Sequence, residues 1–414
     1  MTIFKKIFKK KKIKKIGLPI PIECNISEED LKNNKLFIKN MHKHKWGNET
    51  PKSILCFLPY SKSFLAGGMS TIINLCLNLG KKWNAKIYLC PFPSNNLFEK
   101  DIDYYKKNLK QIFKENSFEV VLYQDINNIK TDIAICSFWI TAYPLLKYNN
   151  CKEKYYLVQD LENTFYPSGS ISAMTRFTYD FGFNKLTNSN ALAKYMHFYD
   201  SKSLIFKYQP GINKEIYYPN KENIQNKIIK IVAYGRPNND RNAFCMLIPV
   251  FKSLKEKFKE NIEIITVGDN FNPEEYGLKN TIKNYGKLNS LESLAELYRS
   301  CDIGISFITT PTFSYQHLEF MASGLCLVTN KQEGIDDFLF DGKNAVVCDP
   351  IPNLIVPKII EIIEDKVKRS NIAESGLKYT NELSWEKCYN SIAEYIIDDT
   401  KYDNSLSPNN QTSN

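Results

Sequence analysis

The sequence lacks most of the features that assign a chain at sight. Its 11 cysteines contain no C-x-x-C pair, and its 4 histidines form no zinc-spaced cluster with them, although His42 and His44 stand close together. A structural metal is therefore not expected. Many of the cysteines sit in apolar runs such as SILCFLP and DIAICSFW, as the reduced core thiols of a cytosolic protein do. No window holds about 18 uninterrupted apolar residues, which argues against a membrane-spanning helix. The fingerprints G-x-G-x-x-G and G-x-x-x-x-G-K-[ST] are both missing, which counts against ordinary dinucleotide or ATP binding. No repeat with a period of about 20 to 50 residues is evident.

The net charge of +10 suggests a nucleic-acid binder until it is located. Eight lysines fall within the first 15 residues (Lys5, Lys6, Lys9, Lys10, Lys11, Lys12, Lys14 and Lys15), so the rest of the chain carries a formal +2. A nearly neutral body offers no phosphate-backbone footprint, and no nucleic-acid partner is expected. The tail also sets Ile3, Phe4, Ile7 and Phe8 at helical spacing beside its lysines, so residues 1–16 read either as an anionic-membrane contact or as a solvated basic arm. It does not read as a signal peptide, for no apolar core or small-residue cleavage site follows the lysines.

At 414 residues the chain exceeds one ordinary core, and two domains are expected. Short β-branched or aromatic runs alternate with amphipathic stretches, the pattern of a parallel sheet wrapped by helices, so the class is α/β. Strands are expected at 53–59, 86–90, 118–123, 132–138, 154–159, 184–188 and 204–208. A second series falls at 228–235, 262–268, 280–286, 302–308, 325–330 and 344–349. The boundaries that follow are a basic tail and lead-in over 1–48, an N-terminal Rossmann-like acceptor domain over 49–210 and a polar linker over 211–227. Beyond these come a C-terminal Rossmann-like nucleotide-sugar domain over 228–380, a helix over 381–399 with a return to the N-terminal domain as one option, and a disordered tail over 400–414.

Ligands of such sheets bind beyond the carboxyl ends of the strands, so the loops there carry the candidate chemistry. In YGRPNNDRN, Gly235 ends a strand, and Arg236 and Arg241 offer guanidinium forks suited to a diphosphate near a helix N-terminus. The alternative is a pair of surface arginines bridged to acids such as Asp240. In SFITTPTFSYQHLEFMASG, Glu319 could accept hydrogen bonds from both hydroxyls of a ribose, or could be a helix acid favoured by the macrodipole. In SKSFLAGGMSTIINL, Gly67 and Gly68 would let backbone N–H groups approach an anion or a sugar, with Ser70 and Thr71 behind them. A plain strand-to-helix turn is the simpler reading of that loop. A D-x-D pair at Asp101 and Asp103 is set aside as a metal site, because early helix acids are expected from the dipole alone.

Taken in order, the glycine pair Gly67 and Gly68, the turn Pro210, Gly211, Ile212 and Asn213, the pair Arg236 and Arg241, and the late Glu319 resemble the retaining glycosyltransferases of the GT-B fold, family 4 type. The resemblance covers roughly residues 50 to 400. It implies two Rossmann-like domains facing one cleft, a nucleoside diphosphate sugar as co-substrate, no cofactor or metal, and a glycan or lipid-linked glycan as acceptor. It also implies that backbone near Gly286 and Leu288 meets the nucleobase. The family's earlier glutamate is missing, since Pro311 stands eight residues before Glu319, which leaves Thr310, Thr312, Ser314 and Tyr315 as polar candidates beside the sugar.

The stretches YYLVQDLENTFYPSGS and TRFTYDFGFNKLTNS resemble the rhamnosyltransferase WsaF group more narrowly. This implies that Gln159, Asp160 and Glu162 face the cleft, with Tyr166 and Arg176 completing the wall; a loop-capping acidic cluster is the alternative. The implied activity transfers rhamnose or another hexose, with retention, to a bacterial surface glycan, in the cytoplasm or at the inner face of the membrane. Arg236 and Arg241 would neutralise the leaving diphosphate, and Asp160 or Glu162 would orient or deprotonate the acceptor hydroxyl. A sugar-nucleotide epimerase or a non-catalytic glycan-binding protein of the same fold would share much of this pattern.

Overall fold

In the computed structural model, residues 24–60, 67–92, 98–113, 117–220 and 228–401 are described. The expectations for residues 1–16, for 221–227 of the linker and for 402–414 fall outside them. The N-terminal unit runs α1 (Glu28–Met41), β1 (Ser53–Pro59), α2 (Gly67–Trp83), β2 (Lys86–Phe92), α3 (Phe98–Ile112), β3 (Glu119–Val120), β4 (Ile133–Cys136), α4 (Ala142–Lys147), β5 (Glu153–Val158), α5 (Ser170–Phe177), β6 (Asn184–Thr187), α6 (Asn190–Tyr199) and β7 (Ile205–Lys207). The C-terminal unit runs β8 (Ile229–Gly235), α7 (Phe244–Phe258), β9 (Ile262–Gly268), β10 (Lys283–Gly286), α8 (Leu291–Arg299), β11 (Ile303–Ile305), α9 (Tyr315–Ala322), β12 (Cys326–Asn330), β13 (Val346–Cys348), α10 (Pro352–Glu364) and α11 (Lys366–Glu382). Helix α12 (Trp385–Ile397) is the last element among the described residues.

Both sheets are parallel, in the orders β3-β2-β1-β4-β5-β6-β7 and β10-β9-β8-β11-β12-β13. Parallel strands joined by helical crossovers are covered on both faces, which is why they read as continuous apolar runs. Along β1 the two-residue period sends Ile54, Cys56 and Leu58 into one core layer, with α2 and α12, and Leu55 and Phe57 into the other, with α4 and α6. In β8, Ile231 and Ala233 face one layer and Val232 the other.

The chain crosses between the units twice. Residues 211–220, polar enough to read as a tether, are built into the C-terminal unit through buried Ile212 and Tyr217. At Gly211 an added Cβ would lie 2.2 Å from the Trp385 backbone nitrogen, so glycine is required for the close approach. Helix α12 then packs on the N-terminal unit, burying Cys388, Ile392, Ala393 and Ile396 in the α2 layer, where each isoleucine contributes about 2 kcal/mol. Lys401 closes the crossing through a buried ion pair with Glu153, at 2.9 Å.

Candidate functional site

Strand order reverses between β1 and β4 in one sheet and between β8 and β11 in the other, and such switch points open the crevice where ligands bind. The loops beyond them meet each other. Asp337 accepts from both the backbone N–H and the side-chain Nδ2 of Asn190, each at 2.8 Å, and so caps α6 from the other unit. Thr312 Oγ1 donates to the Gln159 carbonyl at 3.2 Å, and Thr71 Oγ1 to the Tyr315 hydroxyl at 3.3 Å.

Arg236 and Arg241 lie on the loop after β8, Arg241 in a single turn ahead of α7 rather than in the helix itself. The Arg236 Nε donates to Asp269 at 3.3 Å and its Nη1 to the Tyr234 hydroxyl at 3.3 Å. Gly268, at φ +135, gives the Arg236 stem its room, for an added Cβ would lie 2.8 Å from its Cγ. Arg241 reaches the opposite wall of the cleft. Its Nη1 is ion-paired with Asp160, and its guanidinium stacks 4.3 Å from the Phe165 ring. Burial pushes the Asp160 carboxyl above its ordinary range, with Arg241, Thr310 and the Leu161 N–H pulling it back.

Glu319, in α9, keeps one carboxylate oxygen buried and without a hydrogen-bond partner. The phenols of Tyr217 and Tyr298, whose rings stack 6.3 Å apart, are buried beside it; Tyr217 is its hydrogen-bonding neighbour, the Tyr298 hydroxyl has no partner, and both feel the Glu319 charge. Burial raises the Glu319 carboxyl from 4.5 to about 7, the Tyr217 phenol opposing that rise. A buried carboxylate oxygen and a buried phenol without partners in one place call for a ligand that supplies them. On the same unit, Gly286 ends β10 at φ +63, and Asn270 Oδ1 accepts the following Lys287 N–H at 3.0 Å. A Cβ at Gly286 would lie 1.8 Å from that oxygen, so only glycine permits the bond. Leu288 is half-buried against the Tyr298 layer.

On the N-terminal wall, Gln159 Nε2 donates to the Gly68 carbonyl at 2.8 Å and to Ser137 Oγ at 2.9 Å. Gly67 and Gly68 begin α2, and their lack of side chains admits the Tyr315 ring, 3.4 Å from a Cβ built at Gly67, and Gln159, 3.3 Å from one at Gly68. Tyr166 accepts from the Trp139 indole N–H at 3.0 Å.

Two residues expected on this wall stand elsewhere. Glu162 is 3% exposed, and its Oε2 accepts the Trp139 N–H at 2.5 Å and the Tyr156 hydroxyl at 3.0 Å. It therefore holds the loop after β4 from behind, and burial raises it to about 8. Arg176 stacks 5.4 Å from the Tyr199 ring, at the end of α6 remote from the Asn190 cap. That end adjoins the start of β6, where Lys185 pairs with Asp200, so Arg176 lies away from the cleft.

The segment 309–317 is fixed by backbone. Thr309 N–H donates to the Arg241 carbonyl at 2.8 Å. Gly334 lies under Thr312, whose nitrogen is 2.3 Å from a Cβ built there. Within the segment His317 is fully buried, bonded to Ser306 and Thr329, and lowered to about 4, a neutral structural residue. Thr310 and Thr312 are buried too, at 3% and 1% exposed. Among the described residues no group of three or more His, Cys, Asp or Glu could hold a metal; Asp101 and Asp103 lie within α3.

Comparison with solved structures then settles the architecture. HepE of Anabaena, crystallised with UDP, superposes with a TM-score of 0.64 at 16% identity, over 83% of this chain and 99% of that one. TarM superposes at 0.64 and 12% identity, over 85% and 98%. WaaG, a glycosyltransferase of lipopolysaccharide biosynthesis, does so at 0.60 and 13%, over 83% and 99%. The fold is GT-B. Residues 229–360 match the family described as WsaF, C-terminal domain, a span that carries Arg236, Arg241, Gly286, Leu288, Tyr315 and Glu319.

Among curated proteins, the O-antigen biosynthesis protein RfbC of Myxococcus xanthus is 28% identical over 255 residues, 62% of this chain and 20% of its own length. The glycosyltransferase MJ1178 of Methanocaldococcus jannaschii, itself uncharacterized, is 26% identical over 186 residues, 43% of this chain and 49% of its own. The chain thus spans less than half the length of either relative.

Within the GT-B cleft several residues gave no signal in the sequence. Phe138 sits at φ +78 two residues beyond β4, a conformation rare for a bulky residue and costly by about 1–3 kcal/mol. The bond from Glu162 to the next N–H secures it. Tyr217 belongs to the stretch that reads as linker, and Asp269 and Asn270 carry no pattern beyond an acid and an amide after a strand. The glycines Gly268 and Gly286 were the signal available, for each marks a crowded backbone beside a strand end.

Proposed function

We propose that this GT-B chain is a glycosyltransferase moving a sugar, rhamnose or another hexose, from a nucleoside diphosphate sugar to a bacterial surface glycan with retention. The observation that carries the reading is the buried, unpartnered carboxylate oxygen of Glu319 beside Tyr217 and Tyr298, in the nucleotide half of the fold. A ribose supplies hydroxyls to such a group. The glycosyltransferase relatives and the UDP held by HepE support a nucleotide-sugar donor.

In this reading the backbone at Gly286 and Leu288 meets the base, and Glu319 takes the ribose. Arg236 and Arg241 take the diphosphate. The bond between the anomeric carbon and the β-phosphate oxygen breaks as the acceptor hydroxyl oxygen attacks, and the electron pair leaves with the diphosphate. Fixed cations facing that developing charge need no reorganisation when the bond breaks, which is the source of their rate effect. Asp160, with Gln159 and Tyr166 beside it, orients the acceptor hydroxyl and takes its proton. The acceptor is glycan or lipid-linked glycan, and the work is done on the cytoplasmic side without metal.

The test is a panel of UDP-, dTDP- and GDP-sugars incubated with purified protein, with and without oligosaccharide acceptors, read by product mass spectrometry. Acceptor-dependent gain of one hexose or deoxyhexose supports transfer. Isomerised donor without acceptor would make the chain an epimerase, and no turnover with any donor would sink the catalytic reading.

A further inference from the structure

The outer side of the N-terminal unit collects exposed apolar and basic side chains that the proposed reaction does not use. Helix α1 turns Asn34, Ile38 and Met41 inward. At about 100° per residue, Lys32, Lys35, Leu36 and Lys39 then fall within roughly 100° of arc on its opposite side. All four are exposed, Leu36 at 60%, and exposed Lys43 follows the helix. None of these lysines is in an ion pair among the described residues. The acids of the helix, Glu28, Glu29 and Asp30, gather in its first turn, Glu28 and Glu29 exposed on the same side as the lysines and Asp30 closing a capping box with Ser27.

The surface continues from α1 onto α5 and α6. Asn34 Nδ2 donates to the Phe181 carbonyl at 2.8 Å, and the Phe181 ring meets Phe177 at 5.3 Å. Arg176 stacks on Tyr199, whose neighbour Phe198 is 81% exposed, the most exposed large hydrophobic residue among those described. Asp200, which follows α6, acts electrostatically on His42 at the end of α1. Phe177 is itself 40% exposed. Of the acids on this surface, Asp180 faces Arg176.

The chain also enters the body here. Cys24 is buried in the layer under α1, and the Asn25 carbonyl accepts from Lys147 at 2.6 Å. Lys15, last of the eight tail lysines, precedes Cys24 by nine residues, a reach of about 30 Å at most. The tail lysines are therefore tethered within that distance of the surface.

We propose that this surface, α1 with the adjoining ends of α5 and α6, docks on a bilayer rich in anionic lipid. Leu36, Phe177 and Phe198 enter the headgroup region, while Lys32, Lys39, Lys43 and Arg176 face the lipid phosphates. Bulky apolar side chains standing out of a basic surface fit an interface that is apolar below and anionic above. The proposal is independent of the reaction assigned to the cleft.

The test uses the full-length chain in sedimentation with phosphatidylcholine vesicles, with and without phosphatidylglycerol. Wild type should bind the anionic vesicles and be released by high salt. Each basic side chain near the surface is worth about fivefold, so Lys32→Glu with Lys39→Glu should lower the partition coefficient at least tenfold with the tail intact. Leu36→Ser with Phe198→Ser should do the same without changing the thermal melt. Wild-type binding by both double variants, equal binding to neutral vesicles, or loss of a self-association in place of vesicle binding would each overturn the proposal.

Discussion

Replacing Asp160 with asparagine separates two roles that the cleft combines in one residue. Arg241 is expected to hold the donor diphosphate, yet it is ion-paired across the cleft with Asp160, side-chain exposures being 29% and 10%. A diphosphate must therefore displace a carboxylate, and once displaced Asp160 is an unpaired, buried acid whose affinity for a proton rises. Donor binding so prepares the base for the acceptor, which makes the kinetics ordered, donor first.

At an effective dielectric near 20 a contact ion pair is worth about 5 kcal/mol, but part of that is screened at a half-open site and asparagine keeps a hydrogen bond. A net release of about 1.5 kcal/mol is the reasonable figure, or roughly tenfold in affinity. Calorimetry should find Asp160→Asn binding the nucleoside diphosphate about tenfold more tightly than wild type, while its transfer rate falls by about 10²–10⁴, the usual loss on removing a general base. Weaker nucleotide binding in the variant would refute the reasoning and make Asp160 a scaffold for Arg241.

Two further outcomes follow from the raised carboxyls. Glu319 accepts ribose hydroxyls best when ionised, and its folded value is about 7. Affinity for a nucleotide-sugar, whose phosphates do not titrate in that range, should rise between pH 6 and 8 by about tenfold, and Glu319→Gln should flatten the profile. Glu162 is raised from 4.5 to about 8. The folded state therefore holds a proton that the unfolded state releases, and stability on this account falls as pH climbs from about 4.5 to 8 and levels above. Glu162→Gln should remove that slope in urea melts at several pH values; an unchanged slope would mean the carboxyl is not buried in solution.

The sheets were legible because parallel strands are buried on both faces and appear as unbroken apolar runs, as at 53–59 and 262–268, which match β1 and β9. The run at 280–286 was trimmed to Lys283–Gly286, since Thr281 closes a turn back to Leu278. Of the candidate site residues, Arg236, Arg241 and Glu319 stand out because strand-end loops are few and ordered along the chain, and Gly286 is implied by the family resemblance. The pairing of Arg241 with Asp160 joins residues 81 apart, and no local pattern encodes such a contact. Glu162 and Arg176 are placed on the cleft wall by the resemblance of the stretches that hold them, but one turns into the core and the other lies on the far side of α5. Tyr217 was hidden by its polar neighbours, whose backbone serves the C-terminal core.

The most direct test of the nucleotide site is calorimetry of UDP, dTDP and GDP binding to the wild type and to Arg236→Ala and Glu319→Ala. One of the three nucleotides should bind the wild type, and each variant should lose about 1–3 kcal/mol, or roughly 5- to 150-fold in affinity, with an unchanged melting temperature. Binding of none of them, or binding that both variants leave intact, would contradict the claim that the loops after β8 and β11 hold a nucleoside diphosphate.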